Sequence, residues 1–385
     1  MASVVPFQKY TIFENNSSYI IQGYDKFTEE FSLVYINPSQ SLEKMNLTGG
    51  DRRFKSASPP ADVVHLLETA RSIAVGPCLL GFISFTRAYY AVLVTKHRKV
   101  GYLFGKHKLY SVEKTELIPL FGTKQVSIES TVGELRFLEL FRMLNLSKEF
   151  YYSFTYDLSH SVQFNSVKET ASRLCIPMLN AKDYLLSSSQ QSRFVWNLFL
   201  LEPLKSCKTW PQWSVPVIHG FLAQAICSCS GRILEITLIA RRSRFFAGPR
   251  YRKRGVNEAG NVANDVETEQ ILYDSSSSRA IMSFLQNRSS VPLFWKQETN
   301  AILPKPPICF HRTDAVYTST RKHFKDFYSR YGAPIVVINL MKGKKTSNES
   351  ILGRKFERAI DYLNRELPTD MQLQYRNFDI KSLYK

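Results

Sequence analysis

Short runs of β-branched and aromatic residues, separated by Asn, Ser and Gly, recur through the first 120 residues of the chain. This composition and this punctuation are typical of strands joined by turns. The runs occupy residues 9–14, 19–24, 31–37, 79–85, 89–95, 99–104 and 108–112. A helix is predicted at 61–73, where several apolar residues fall near one face. We therefore predict a β-rich N-terminal domain over residues 1–150.

A second helix is predicted at 132–146, where Leu135, Leu138, Phe141 and Leu144 recur at three-residue spacing. Beyond it the pattern changes. The predicted elements are a strand at 151–156, strands at 213–218 and 233–240, a helix at 321–331, a strand at 334–341, a helix at 350–367 and a strand at 371–376.

The last three of these elements constrain the second domain. The run at 334–341 is continuously apolar, as expected for a strand covered on both faces. A strand, a helix and a strand in succession indicate a parallel pair. With 385 residues the chain is too long for one ordinary core, so we predict a mixed α+β or α/β fold whose second domain covers 151–385. The polar run SSSQQS at 187–192 is the most obvious internal boundary.

Charge favours an anionic partner. The chain has 51 Lys and Arg against 33 Asp and Glu, a net charge of +18, which suits nucleic acid, an acidic membrane face or a phosphorylated ligand. The six cysteines are scattered without zinc-type spacing, so we predict reduced thiols, no metal site and no cofactor. Neither a signal sequence nor an apolar run of about 18 residues is present. We expect a cytoplasmic protein, or one peripheral on the cytosolic side of a membrane.

The strongest local feature is the basic segment, residues 241–255, which reads RRSRFFAGPRYRKRG and follows the strand predicted at 233–240. Its seven basic residues are Arg241, Arg242, Arg244, Arg250, Arg252, Lys253 and Arg254. Guanidinium groups fit phosphate oxygens in a planar fork, and glycine lets backbone N–H groups approach an anion. The segment could equally be a solvated loop neutralised by Glu258, Asp265, Glu267 and Glu269, and charge alone leaves both readings open.

The aromatic residues and the glutamates of this region allow two further interpretations. Stacking of bases on Phe245, Phe246 and Tyr251 is conceivable, but no nucleic-acid-binding module accompanies them, and a nucleic-acid partner is not predicted. Glu267 and Glu269 fall on the same side of a strand, where salt bridges to the basic segment are favoured over a cation site.

No hydrolase nucleophile is visible in the chain. Cysteine phosphatases need Cys-x5-Arg, because the loop surrounds a phosphate with backbone N–H groups and one Arg beside a thiolate. None of the six cysteines has Arg six positions later. The sequences GxSxG, HExxH, GxGxxG and the Walker P-loop are also missing. His160 and His219 are interpreted as satisfied core histidines.

Residues 238–272 read LIARRSRFFAGPRYRKRGVNEAGNVANDVETEQIL, and they resemble the signature segment of the Sac-domain phosphoinositide phosphatases. Further segments agree in the same order, namely YYSFTYDLSHSVQFN at 151–165, FVWN at 194–197, VIHGF at 217–221, SVPLFWKQE at 290–298 and PKPPI at 304–308. Pro249 stands where the family usually has Thr, and Ser289 where Gly is usual. The resemblance covers essentially the whole chain.

YDLSHSVQFN and VLVTKHRKVG (92–101) incline the resemblance toward the endosomal subgroup. That subgroup removes the 5-phosphate of phosphatidylinositol 3,5-bisphosphate and assembles with a scaffold protein and a phosphoinositide kinase. The resemblance therefore implies phosphoinositide headgroups as partners, and a place on endosomal, vacuolar or lysosomal membranes.

The resemblance also implies a β-rich N-terminal domain and an α/β catalytic domain of the cysteine-phosphatase kind. The family's Cys-x5-Arg-Thr loop forms a phosphocysteine, and it belongs after the elements that close this chain. We therefore expect an incomplete catalytic domain, in a fragment, a truncated gene model or a form that lost its nucleophile, and no turnover by the chain alone. A non-catalytic adaptor that binds lipid or the scaffold is the alternative.

The site residues follow from the same resemblance. The seven basic residues of the segment are predicted to attract headgroups or the membrane, and Asn264, Glu267 and Glu269 to hold the loop in shape. No catalytic residue is assigned.

Overall fold

The structure is a computed structural model that describes residues 5–15, 18–36, 47–86, 88–120, 128–173, 192–207, 209–248, 252–276, 280–297, 306–341 and 348–378. Residues 187–191 of the polar run lie outside these ranges. The chain divides into a first unit, residues 1–241 with 269–285, and a second unit, residues 242–268 with 286–385. This division differs from the boundary predicted near residue 150, because strands on both sides of that residue pair in one sheet.

A six-stranded sheet begins the first unit. Its strands are β1 (Lys9–Asn15), β2 (Ser18–Asp25), β3 (Glu30–Ile36), β4 (Leu47–Gly49), β5 (Phe54–Lys55) and β6 (Arg71–Gly76). They pair antiparallel in the order β4-β3-β2-β1-β6, with β5 on β3. The strands predicted at 9–14, 19–24 and 31–37 are confirmed.

The first helix is shorter than predicted. Helix α1 covers Ala61–Thr69, and residues 71–76 form β6 on the edge of the sheet beside β1. The Thr69 hydroxyl donates back to the carbonyl of His65 at 2.9 Å, and Ala70 is extended. The prediction of a helix through residue 73 was wrong, because sheet pairing satisfies the backbone there instead.

An eight-stranded sheet follows, in which each strand pairs with its neighbour in sequence. Its strands are β7 (Cys78–Ser84), β8 (Tyr89–Leu103), β9 (His107–Leu120), β10 (Phe150–Tyr152), β11 (Ile218–Cys229), β12 (Arg232–Arg242), β13 (Val266–Asp274) and β14 (Ile281–Arg288). The separate strands predicted at 89–95 and 99–104 are one strand, β8, since bulges absorb the irregular pattern.

Two aromatic residues show where the first unit has its main core. Phe7 meets Trp213 edge to face with ring centroids 4.9 Å apart, and Trp210 is buried with them. Residues 210–212 form a 3₁₀ turn, so Trp213 is a core residue before β11, and the strand predicted at 213–218 begins only at Ile218.

Two more helices belong to this unit, α2 (Ile128–Met143) and α3 (Val162–Arg173). Leu135 and Leu144 are exposed, while Phe141 packs on the core. Three residues turn a helix through about 300°, so residues at that spacing drift around the helix. The predicted apolar face is therefore only partly buried.

The second unit contains β15 (Lys296–Gln297), β16 (Ile308–Cys309), α4 (Thr318–Tyr331), β17 (Val336–Asn339), α5 (Asn348–Asn364) and β18 (Gln374–Asn377). Phe324 of α4 and Phe356 of α5 stack at 6.4 Å in its core. Strands β17 and β18 are parallel, with α5 between them in sequence, which confirms the predicted strand–helix–strand unit. The molecule is β-rich with few helices, consistent with an α+β fold.

Strand β17 differs from its prediction as a strand covered on both faces. Val336, Ile338 and Leu340 are 52%, 60% and 56% exposed, whereas Val337 packs on the core. Among the described residues, the pair β17 and β18 is therefore covered on one face only. None of the helices in the described ranges is long and apolar enough to cross a membrane.

Candidate functional site

The basic segment starts inside β12, and its first residue is buried. The Arg241 side chain is fully enclosed. Its Nε donates to the carbonyl of Leu158 at 2.5 Å, and its Nη2 donates to the carbonyl of His160 at 2.9 Å and to Glu269 Oε2 at 2.6 Å. The segment at 151–165 that supported the family resemblance thus supplies the carbonyls that hold Arg241.

Glu269, on β13, is also fully buried. Besides the Arg241 guanidinium, its carboxylate accepts hydrogen bonds from the backbone N–H of Val162 at 2.8 Å and from the Ser283 hydroxyl at 2.6 Å. The predicted salt bridge between a glutamate of this strand and the basic segment is confirmed. The prediction that Arg241 faces a membrane does not fit this placement, because the guanidinium has exchanged water for protein oxygens.

The remaining basic residues divide by exposure. Arg242, Arg252 and Lys253 are exposed, and Arg244 and Arg254 are half-buried. Arg250 lies outside the described residues. All the described ones belong to the second unit. The exposed cations therefore come from both ends of the segment.

Aromatic side chains support three of these cations. The Arg244 guanidinium lies 4.3 Å from the Phe245 ring centroid, and the Lys253 ammonium lies 4.8 Å from that of Phe246. The Arg254 guanidinium lies 5.4 Å from the Trp295 ring, and its Nε donates to Gln297 at 2.8 Å. Such contacts hold a cation over a ring face without neutralising it.

A tight turn after the basic residues closes the segment. Gly255 has a φ of +69°, and a Cβ there would lie 2.3 Å from the Leu293 carbonyl oxygen, so only glycine fits. Asn264 also has a positive φ, of 55°, which Asn tolerates better than most residues. Its side chain donates to the carbonyl of Lys253 at 3.2 Å. Asn264 therefore fastens the end of the turn to the basic residues.

Glu267 takes part in a second buried group. Its carboxylate accepts a hydrogen bond from the Tyr331 hydroxyl. Burial and the neighbouring carboxylate raise the pKa of Tyr331. On the same helix, Arg330 donates to Asp326 Oδ2 from Nε at 3.0 Å and from Nη2 at 2.7 Å.

Tyr331 and Arg330 are not among the site residues predicted from the sequence. Tyr331 looked like the end of an aromatic core stripe on the predicted helix, and only its hydroxyl distinguishes it from Phe at such a position. No motif accompanies Arg330. Its two bonds to one carboxylate depend on the i, i+4 spacing, which is common on helix surfaces.

The contacts of the acidic residues bear on the alternative that these residues neutralise the basic segment. Glu258 forms an exposed ion pair with Arg312 at 2.5 Å, and that guanidinium lowers the pKa of Glu258. Glu267 and Glu269 point into buried bonds, as described above. Glu269 bonds the guanidinium of Arg241, the buried residue of the segment.

Comparison with known proteins gives the family. The SacI homology domain matches residues 77–385, most of the chain. The chain belongs to this family. The signature segment, the buried Arg241–Glu269 pair and the exposed cations all lie inside the matched range.

Several curated relatives carry phosphatase names. The phosphatidylinositol-3-phosphatase SAC1 of Arabidopsis thaliana is 33% identical over 98% of this chain and 41% of its own length. The phosphoinositide phosphatase SAC3 of the same plant is 39% identical over 80% of this chain and 36% of its own length. The polyphosphoinositide phosphatase of Schizosaccharomyces pombe is 38% identical over 80% of this chain and 36% of its own length. The SacI-homology chain thus spans less than half the length of these relatives.

Proposed function

We propose that the chain binds phosphoinositide headgroups as part of a Sac-family phosphoinositide phosphatase, through the exposed cations of the basic segment. The observation that carries the proposal is the placement of Arg242, Arg252 and Lys253 at the surface while the acidic residues of β13 are turned into buried bonds. Relatives named for phosphoinositides support the choice of anion.

We propose a division of labour within the signature segment. Arg241 and Glu269 fix the strand from which the segment departs, and Asn264 and Glu267 hold the returning chain. Arg242, Arg252 and Lys253, in contrast, lie at the surface. Arg244 and Arg254 lie over aromatic rings and add charge close by, and we include Arg250 on the resemblance alone.

The finer proposals rest on the resemblance to the endosomal subgroup. They are the 5-phosphate of phosphatidylinositol 3,5-bisphosphate as the group removed, a phosphocysteine as the intermediate of the family reaction, and a scaffold protein and a phosphoinositide kinase as partners. Endosomal, vacuolar or lysosomal membranes are the proposed location.

Lipid binding is tested with vesicles containing phosphatidylinositol 3,5-bisphosphate at about 0.15 M salt. Each basic residue near an anionic surface contributes about 1 kcal/mol. The triple variant Arg242→Ala, Arg252→Ala, Lys253→Ala is therefore expected to lose about 100-fold in affinity. A matched control removes three exposed arginines of the same unit, Arg354 and Arg358 of α5 and Arg365 directly after it.

Two outcomes would contradict the lipid assignment. One is an equal loss of affinity in both triple variants, which would show only a response to net charge. The other is tighter binding to mixed-sequence RNA or DNA than to the vesicles at the same salt, since binding to a polyanion backbone is independent of sequence and strongly salt-dependent.

We predict no phosphate release by the 385-residue chain, because no cysteine in it has the Cys-x5-Arg arrangement that provides a thiolate and an Arg to one phosphate. The measurement is phosphate release from a water-soluble phosphatidylinositol bisphosphate, with an active phosphatase as positive control. Turnover above background would contradict it.

A further inference from the structure

One long strand of the first unit has a partly open edge. Strand β9 pairs with β8 along nearly its whole length. On its other side the three-residue strand β10 pairs only with Tyr110 and Ser111. In the described part of the chain, residues 112–120 therefore have no strand beside them on that edge. Alternate backbone N–H and C=O groups of such an edge lack ladder partners.

A groove of about 620 Å³ runs along this edge. Its floor is the consecutive stretch 113–118 of β9. Its helix wall is formed by residues 141–143 at the end of α2, and residues 144–147, between α2 and β10, form the other wall. Successive side chains of a strand point to opposite faces. A groove lined by consecutive residues therefore follows the edge of the strand and does not lie on one face.

The side chains around the groove set the chemistry of what it accepts. Met143 and Leu144 are 78% and 59% exposed and present apolar surface on the walls. The charges of β9 are largely paired, since Lys114 bonds Glu116 on the same strand at 2.6 Å and Glu113 lies 3.1 Å from the ammonium of Lys96 on β8. Arg142, on the helix wall, is exposed and forms no ion pair with a described residue.

From these features we propose that the edge of β9 binds an extended peptide of a protein partner. The peptide adds a strand to the sheet beside β9, beyond the end of β10. Main-chain hydrogen bonds to the edge provide the affinity, and alternate side chains provide the specificity. The peptide has aliphatic side chains at alternate positions against Met143 and Leu144, and an acidic side chain near Arg142. A second copy of the chain that paired through this edge would bring its own α2 and turn against the same groove, so a short peptide is the occupant we propose.

The first test selects ligands from a phage-displayed library of random eight-residue peptides against the 385-residue chain. We expect enriched peptides with alternating aliphatic residues and an acidic residue. A synthetic peptide of the enriched sequence should slow amide hydrogen exchange within 113–118. N-methylation at alternate peptide residues should weaken binding by up to about tenfold per lost bond, and N-methylation at the intervening residues should not.

The second test uses matched variants of helix α2. Arg142→Glu and Met143→Glu are expected to weaken peptide binding at least tenfold. Arg136→Glu and Leu135→Glu make the same chemical changes at exposed positions of the same helix outside the groove, and should bind as the unaltered chain does. The N-methylated peptides leave the protein unchanged, so a variant that fails to fold does not decide the result.

Three results would overturn the proposal. They are the absence of any enriched peptide that protects 113–118, an N-methylation pattern with no alternation, and equal weakening by the groove and control variants. A dimer by light scattering in which 113–118 are already protected would also overturn it, because the edge would then be occupied by a second copy.

Discussion

At the scale of single residues, the family signature contains side chains with opposite tasks. Arg241 and Arg242 are adjacent in sequence, yet the first is fully buried and the second is exposed, because successive residues of β12 point to opposite faces. Removing one partner of a buried ion pair leaves an uncompensated charge in a medium of low polarity. A change at Arg241 or Glu269 should therefore act through folding, whereas a change at Arg242 should act through binding.

Glu269→Ala is expected to lower the free energy of unfolding of the first unit by about 3–5 kcal/mol. Three donors, from Arg241, Val162 and Ser283, lose their acceptor in this variant. The measurement is urea denaturation followed by tryptophan fluorescence, which reports on Trp210 and Trp213 in the core of that unit.

Glu258→Ala is the matched control, because it breaks an exposed ion pair with Arg312, and exposed pairs contribute little to stability. We expect no measurable change in the denaturation midpoint. Similar losses of stability in the two variants would contradict the prediction that the buried bonds of Glu269 contribute more to stability than an exposed ion pair does.

At the scale of elements, helix α5 organises the second unit. Leu352, Phe356, Ile360 and Leu363 recur at three- and four-residue spacing and are all buried, so one stripe of the helix faces the core. The helix covers the side of β17 that carries Val337, and its position between two parallel strands gives the unit its strand–helix–strand order. The amphipathic pattern predicted this helix correctly, because the residues that recur with the helical period are also the residues that are buried.

Ile360→Ala should destabilise the second unit by about 2–5 kcal/mol, the usual cost of truncating a fully buried aliphatic side chain to Ala. Arg358→Ala, two residues earlier and exposed, should change stability little, since Ala is a good helix former. Urea denaturation monitored by far-ultraviolet circular dichroism compares the two. A loss in Ile360→Ala no larger than that in Arg358→Ala would contradict the assignment of the buried face.

At the scale of the whole molecule, apolar surface remains uncovered in the described residues. Val336 and Ile338 on the outer face of β17, and Leu340 directly after the strand, are exposed. Together they make an apolar patch of the kind that drives association. Strand β18 pairs with β17, but this pairing does not cover the exposed face. We expect the isolated chain to be poorly soluble for this reason.

The triple variant Val336→Thr, Ile338→Thr, Leu340→Thr should increase the fraction of monomer in solution, because Thr removes apolar surface and is itself a β-branched residue that suits a strand. The measurement is size-exclusion chromatography with light scattering at increasing concentration. Val337→Thr, on the core face of the same strand, should lower stability and give no gain in monomer. A sharp cooperative melt of monomeric unaltered chain would count against the prediction.

Local patterns in the sequence were sufficient to predict most elements of secondary structure and to indicate the family. Alternating β-branched runs predicted β1, β2 and β3, amphipathic spacing predicted α4 and α5, and the residues around the basic segment carried the resemblance to Sac-domain phosphatases. These features depend on residues close together along the chain, where composition and period act directly on the backbone. The charge of the basic segment, and the lack of a Cys-x5-Arg arrangement in these residues, are likewise properties of the sequence alone.

Only the tertiary structure decided which charges of the signature are buried. Leu158 lies 83 residues before Arg241, and Tyr331 lies 64 residues after Glu267, so no local pattern could have paired them. The dependence on distant residues also explains two wrong predictions, the helix extended through residue 73 and the strand β17 covered on both faces. Burial depends on what the rest of the chain places against a residue, and that is settled when distant segments pack together.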